Sequence, residues 1–218
     1  YGFSGLSIET MCLVVRNRKK PADTFVYNMK YNFRITQKQS YITDTYFPYF
    51  IIYRNNDFDA VAEELKLDVF DVFRDRQITK KNTTSERKKG SLRVIKARNI
   101  QDDGSILSIE GYDSFIEPEI CQDFAVAKYI DDLNVYLTPN MTYNPRVICN
   151  KTGLVPDGSV AVLIPKQQMK LTQIQISFFA TEKYRKFYQI ARNLSTQSIN
   201  IDSKSVFFYG VKKWLLVY

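Results

Sequence analysis

Aromatic and β-branched residues most constrain what this 218-residue chain can fold into. The chain contains fifteen Tyr and fifteen Phe, and 44% of its residues are hydrophobic. Such side chains pack well on a pleated surface, and a chain of this length can bury a substantial core. We therefore expect an α+β fold, with a mixed β-sheet and a few helices.

The net positive charge is concentrated in one segment, residues 74–98. This segment, RDRQITKKNTTSERKKGSLRVIKAR, holds ten Lys and Arg against two acids, and its net charge of +8 equals that of the whole chain. A concentrated surplus creates a local positive field, so we expect a polyanionic partner. Nucleic acid fits best, because Gln, Asn, Ser and Thr are interleaved with the cations. A basic module that docks on an acidic protein remains an alternative.

Several chemistries are excluded by what the sequence lacks. The chain has no histidine, which excludes a Ser-His-Asp or Cys-His arrangement and a His general base within it. Neither a GxGxxG motif nor a P-loop occurs. No apolar run reaches the length of a membrane span, so we expect no membrane partner and a cytoplasmic location. Cys12, Cys121 and Cys149 are expected to be buried free thiols.

Hydrophobic periodicity predicts the order of the helices and strands. Predicted strands are 6–15 and 24–34 as a hairpin, 91–100, 135–149, 158–166 and 205–211, and a turn at 102–104 is expected to lead into a second hairpin. Predicted helices are 57–67 capped by Asp57, 123–133, and 182–193 capped by Thr181. The stretch 79–91 has no apolar period and is predicted to be a loop.

A magnesium-dependent nuclease is the enzymatic alternative. Asp157, followed by the strand SVAVLIPK and Lys166, superficially resembles a common nuclease core. That pattern requires an acid two residues before the lysine, where this chain has Ile164. We therefore expect no metal site here.

The candidate DNA contacts fall into a basic stretch and two lesser polar clusters. Phosphate contacts are expected from Lys80, Lys81, Arg87, Lys88 and Lys89, and Thr79 is a further candidate for contact with DNA. Base contacts are expected from Arg74, Arg76, Gln77, Asn82 and Arg98, because Arg pairs with guanine and Gln or Asn with adenine. The lesser clusters supply Asn140, Tyr143 and Arg146, and then Arg192, Asn193 and Gln197, although turn chemistry explains either cluster equally well.

Several ordered segments resemble the C-terminal target recognition region of bacterial N6-adenine DNA methyltransferases, the TaqI-like and related type II restriction-modification enzymes. They are FRDRQITKKN, RVIKARNIQDDGSI, YLTPNMTYNPRV, GSVAVLIPK and FFATEKYRKFYQIARNLSTQSINIDSKSVFFYG. The resemblance implies a recognition domain over 39–218, preceded by the last catalytic-domain strands over 1–38. It also implies that Arg93, Lys96 and Arg98 lie on a strand beside the DNA-approaching loop.

The same resemblance limits what this chain can do. Enzymes of this family bind double-stranded DNA and use S-adenosylmethionine, and they flip the target adenine into the catalytic domain. The family's F-x-G-x-G cofactor motif and its [DN]-P-P-[YF] catalytic motif are both absent here. We therefore expect no cofactor and no catalytic residue in this chain, and a separate methyltransferase catalytic domain as its partner.

Overall fold

The computed structural model describes residues 11–14, 20, 23–142, 144–195 and 200–215 and shows an α+β fold. Its helices and strands follow one another as β1 (Asp23–Asn28), β2 (Phe33–Lys38), α1 (Gln39–Ile42), α2 (Asn56–Glu64), β3 (Leu65–Lys66), β4 (Phe70–Arg74), β5 (Leu92–Ile95), β6 (Ser114–Ile116), α3 (Pro118–Gln122), β7 (Tyr136–Pro139), β8 (Ile148–Cys149), β9 (Leu154–Pro156), β10 (Val160–Pro165), α4 (Gln173–Phe179), α5 (Glu182–Ala191) and β11 (Val211–Lys212). Short 3₁₀ helices cover Ala97–Asn99, Ala127–Tyr129, Ser205–Phe208 and Lys213–Leu215.

Two small sheets form the centre of the molecule. An antiparallel four-stranded sheet has the order β4-β10-β7-β8, and a mixed three-stranded sheet has the order β6-β5-β9, with β5 and β9 parallel. Strand β10 is almost continuously apolar because β4 and β7 flank it and both of its faces are covered. The pairs β1-β2 and β3-β11 lie outside these sheets.

The largest core cluster is aromatic and joins α2, α4 and α5 to the 3₁₀ helix Ser205–Phe208. Phe58 of α2 stacks on Phe187 of α5 with ring centroids 4.7 Å apart. Tyr184 and Tyr188 on α5 are completely or almost completely buried beside Tyr209. The abundance of Tyr and Phe therefore serves a packed helix-and-sheet core more than the sheet faces alone.

The N-terminal hairpin differs from the predicted one. Residues 24–34 do not form a single strand, because the chain turns at 29–32 between β1 and β2, and Asn32 adopts a φ of 50°. Asn tolerates that left-handed conformation better than most residues, so the turn needs no glycine. The hairpin therefore lies within 23–38, and the predicted first strand, 6–15, is not among the described residues, apart from 11–14.

Other predictions are confirmed or corrected by local chemistry. Helix α5 and its Thr181 cap are confirmed, and 79–91 is a loop without a named element. Helix α2 begins at Asn56 and is capped by Asn55 instead of Asp57, because the Asn55 side chain accepts the Phe58 N–H at 2.9 Å, and it ends at Glu64 instead of residue 67. The predicted helix 123–133 is wrong, since only Ala127–Tyr129 is helical, as a 3₁₀ turn, and the nearest α-helix is α3.

Four further predictions were wrong in part. Strand β5 ends at Ile95 and does not continue to residue 100. The strand that pairs with β5 after the 102–104 turn is β6, whereas 105–112 forms only one isolated bridge, between Ile100 and Ile106. The predicted strand 205–211 is mostly a 3₁₀ helix. Of the cysteines, Cys121 is buried and Cys149 is half-buried, but Cys12 is exposed.

Candidate nucleic-acid interface

The basic segment and the polar cluster that begins at residue 140 meet at one end of the two sheets. The register places Arg74, the last residue of β4, opposite Ala161, and Pro139, the last residue of β7, opposite Val160. It also places Ile95, the last residue of β5, beside Pro156. The residues that follow these strands therefore lie together. We call this region, residues 74–77, 96–98, 140–141 and 157–159, the cationic strand end.

The turn 157–159 connects β9 of one sheet to β10 of the other and holds the cationic strand end together. The Asp157 N–H donates to the Ile95 carbonyl at 3.1 Å, and the Ala97 N–H donates to the Ser159 hydroxyl at 2.9 Å. The Asp157 carboxylate accepts from the Ser159 N–H at 2.8 Å and closes the turn. The turn thus fixes the position at which the chain leaves β5 towards Arg98.

Gly158 allows a close approach between this turn and the start of the basic segment. A Cβ at this position would lie 3.0 Å from the Asp75 carbonyl oxygen and 3.6 Å from Arg76 Cα. A side chain there would push the two backbones apart, so Gly158 sets the position of Arg76.

Asn140 links the turn to the second polar cluster. Its N–H donates to the Ser159 carbonyl at 2.8 Å, and its side-chain amide donates to the Gly158 carbonyl at 3.1 Å. Its own carbonyl accepts the Ile201 N–H at 3.1 Å, and Met141 bridges to Asn200. Asn140 is buried and acts as a connector between segments, while Met141 beside it is exposed.

The loop 79–91 is tied to the protein body at several points. The Asn82 side chain accepts the Thr79 N–H at 2.7 Å and donates to the Gln77 carbonyl at 3.1 Å. Thr84 exchanges two backbone hydrogen bonds with Phe115 of β6, at 2.9 and 2.8 Å. The loop therefore runs along the edge of the three-stranded sheet in a defined conformation.

Lys88 anchors the loop near its end. Its ammonium lies 2.8 Å from a Glu117 carboxylate oxygen, and this contact raises the pKa of Lys88 and lowers that of Glu117. Glu117 was not among the sequence candidates, since nothing in the local pattern connects it to a lysine 29 residues away.

Most of the cations in this segment have no internal partner. In the part of the chain that the structure describes, no ion pair or side-chain hydrogen bond involves these exposed side chains: Arg74, Arg76, Lys80, Lys81, Arg87 and Lys89. They are concentrated on the loop 79–91 and the adjoining strand end. The arrangement produces a positive surface that a polyanion can neutralise.

Other candidates in the basic segment are engaged inside the protein. Arg93 pairs with Asp113 at 2.9 Å and is largely covered, and Lys96 donates to the Tyr112 carbonyl at 2.6 Å. The Gln77 side-chain oxygen accepts the Ala125 N–H at 3.0 Å. The resemblance implied that Lys96 and Arg98 lie on the adjoining strand. Both instead lie beyond the end of β5.

The two lesser clusters are also used largely for structure. Arg146 donates to the Ala97 carbonyl at 3.2 Å, and burial lowers the pKa of its guanidinium. Arg192 donates to the Asn200 carbonyl at 3.2 Å, and Asn193 binds the backbone of residues 50 and 52. Tyr143 and Gln197 lie outside the described residues.

Arg98 differs from all of these side chains. It is exposed, and its guanidinium carbon lies 4.9 Å from the centroid of the Tyr112 ring, a cation–π arrangement. Burial raises the pKa of Tyr112 above its ordinary value. Tyr112 was missed in the sequence, because nothing in the alternation of SILSIEGY distinguishes it.

The geometry does not bring the nuclease residues together. Asp157 and Lys166 flank the six-residue strand β10 at opposite ends, which separates them by roughly 20 Å. Lys166 instead pairs with Asp68 at 2.6 Å. Among the described residues, no group of three or more His, Cys, Asp or Glu is placed so that it could hold a metal ion.

Comparisons with known proteins leave the family open. No protein-family model matches the chain, and no curated protein matches it. In the described part of the chain, no helix combines the length and apolar character needed to cross a membrane.

Proposed function

We propose that this chain is the DNA target recognition module of a bacterial adenine-N6 DNA methyltransferase from a restriction-modification system. The observation that carries the proposal is the set of exposed, unpaired cations on the ordered loop 79–91 and at the cationic strand end. Because these cations have no carboxylate partner among the described residues, they are available to phosphates. Double-stranded DNA is the proposed ligand, in the bacterial cytoplasm.

The division of labour follows from the resemblance to recognition regions of this enzyme class. Residues 39–218 would choose the DNA site, and residues 1–38 would belong to the methyltransferase catalytic domain. The described hairpin β1-β2 presents Phe25 and Met29 to solvent, each at least 80% exposed. Exposed apolar side chains on one hairpin are consistent with a protein partner.

Methyl transfer itself is assigned to the separate catalytic domain. That domain would supply S-adenosylmethionine chemistry, because this chain contains neither the cofactor motif nor the catalytic motif. The contribution of this chain is to bind and orient the duplex.

The proposal is tested by the salt dependence of DNA binding. If about six phosphates are neutralised, the logarithm of the association constant should fall against the logarithm of the salt concentration with a slope of about −5. Fluorescence anisotropy with a labelled random 20-base-pair duplex measures this slope. Binding that is absent, or indifferent to salt, would overturn the proposal.

A matched pair of lysines separates a specific surface from general positive charge. Lys81 lies on the loop, whereas Lys151 is an exposed lysine before β9, at the opposite end of that strand from the turn 157–159. Lys81→Ala should reduce the magnitude of the slope by about 1, and Lys151→Ala should leave it nearly unchanged. Equal effects would mean that the loop is not the binding surface.

A further inference from the structure

We infer that Arg98, held on the Tyr112 ring, determines sequence specificity by binding the major-groove edge of a guanine. The inference rests on the proposed function and adds a named base and a named reader to it. It separates Arg98 from the lysines of the loop, which are expected to contact phosphates of any sequence.

Tyr112 is itself held in place by neighbouring side chains. Lys96 donates to the Tyr112 carbonyl at 2.6 Å, and its ammonium lies 4.8 Å from the ring centroid. The next residue, Asp113, is held by Arg93 at 2.9 Å and by the Asn99 side-chain amide at 2.7 Å. Side chains from 93–99 therefore fix the segment that carries the aromatic ring.

The Arg98 guanidinium is oriented by the Tyr112 ring and remains available to a ligand. It lies over the Tyr112 ring, is exposed to solvent, and makes no ion pair with any residue that the structure describes. The Asp157 carboxylate, in the turn that follows β9, is bound to the N–H and hydroxyl of Ser159. Stacking reduces the rotamer freedom that would otherwise be lost on binding DNA.

An oriented guanidinium is suited to bidentate hydrogen bonding with a base. Its planar set of N–H donors matches the O6 and N7 acceptors of guanine, a bidentate pairing that a lysine ammonium cannot reproduce. A phosphate contact needs positive charge but no fixed plane. Since the Tyr112 ring supports the Arg98 guanidinium, whereas Lys80, Lys81 and Lys89 have no aromatic ring beside them among the described residues, the geometry assigns base reading to Arg98.

The experiment begins with selection of bound sequences from a pool of random 20-base-pair duplexes by the unmodified chain. The preferred duplex and a random duplex are then used to measure affinities for the variants. Arg98→Lys is the matched variant, because it keeps the charge and removes the planar donors. The ratio of specific to random affinity should fall roughly 5- to 100-fold, with loss of preference at one G·C pair.

Two further variants separate reading from folding and from simple charge. Tyr112→Leu should lower the same affinity ratio. Tyr112→Phe should leave the ratio close to that of the unmodified chain, because it keeps the aromatic ring that supports Arg98. Lys81→Ala should weaken binding to both duplexes by similar factors and leave the selected sequence unchanged. Thermal unfolding of each variant shows whether the fold is retained.

The outcomes distinguish this inference from the proposed function. Steep salt dependence without any selected guanine, or an unchanged selected sequence for Arg98→Lys, overturns the role of Arg98 while DNA binding stands. Absence of salt-dependent binding by the unmodified chain overturns both. A guanine preference that disappears in Arg98→Lys and Tyr112→Leu, but not in Lys81→Ala, supports the inference.

Discussion

Arginine serves opposite purposes in two regions of this molecule. Near α2, the side chain of Arg54 is only 13% exposed and lies 2.8 Å from Asp44 and 2.7 Å from Asp59. Its guanidinium also lies 4.3 Å from the Tyr41 ring centroid. At the cationic strand end, Arg76 and Arg98 are exposed and have no carboxylate partner among the described residues.

The difference teaches that the distribution of partners, and not the number of cations, locates a candidate binding surface. Arg54 and its two acids form a closed set in which the guanidinium is paired with both carboxylates. Arg93 follows the same pattern within the basic segment, since Asp113 neutralises it. The stretch 74–98 is therefore only partly a candidate binding surface, and its available charge belongs to particular side chains.

The largest expected effect is the loss of stability in Arg54→Ala. Removal of the guanidinium leaves Asp44 and Asp59 partly covered without their common partner, and the free energy of unfolding should fall by about 3 kcal/mol. Arg76→Ala is the matched control and should change it by less than about 0.5 kcal/mol. Urea denaturation measures both, and equal losses would remove the distinction between the two regions.

A smaller loss is expected for Asn193→Ala, which tests a residue predicted from sequence to contact DNA. The Asn193 amide accepts the Ile52 N–H at 2.7 Å and donates to the Phe50 carbonyl at 2.9 Å. Alanine leaves both backbone groups without these bonds at a position where φ is 52°, so stability should fall by about 2 kcal/mol.

Gln189→Ala, at an exposed position of α5 shortly before Asn193, is the control for Asn193 and should have little effect on urea denaturation. If Asn193→Ala instead leaves stability intact and weakens DNA binding, Asn193 belongs with the available side chains. The DNA-binding surface would then extend to the segment that follows α5.

The parts of the fold that were predictable depend on local signals. Helix α5 was predictable because its cap and its buried face both depend on residues close together in the sequence. The cap is Thr181, and the buried face includes Tyr184, Phe187 and Tyr188. Helix α4 carries a comparable signal, Thr172 followed by Gln175, which form a capping box, but it was missed.

The errors arose where a local hydrogen bond ends a pattern that the sequence continues. The alternation 91–100 predicts one strand, yet the Asn99 side chain accepts the Lys96 N–H at 3.0 Å and turns the chain into a 3₁₀ helix. The candidate site could be predicted only as separate clusters. Their meeting at the turn 157–159 depends on the register of β10 with β4 and β7, which no local pattern specifies.

The smallest expected effect separates two adjacent lysines of the loop. Lys88 is bound to Glu117 at 2.8 Å, whereas Lys89 has no partner among the described residues. The Glu117 carboxylate already neutralises part of the charge on Lys88, so a phosphate gains less attraction there than at Lys89. Lys89→Ala should therefore reduce the magnitude of the salt slope by about 1, and Lys88→Ala should reduce it by less.

Glu117→Gln supplies the reciprocal variant, because it frees Lys88 without changing the loop. Affinity for a random duplex should rise by about 2-fold at low salt, in keeping with the small energy of an exposed ion pair, and the gain should shrink as salt increases. Anisotropy titrations at two salt concentrations measure this. Weaker binding by Glu117→Gln would show that the pair with Lys88 is needed to hold the loop in its binding conformation, which would place Lys88 with Arg54 and Arg93 as a structural cation.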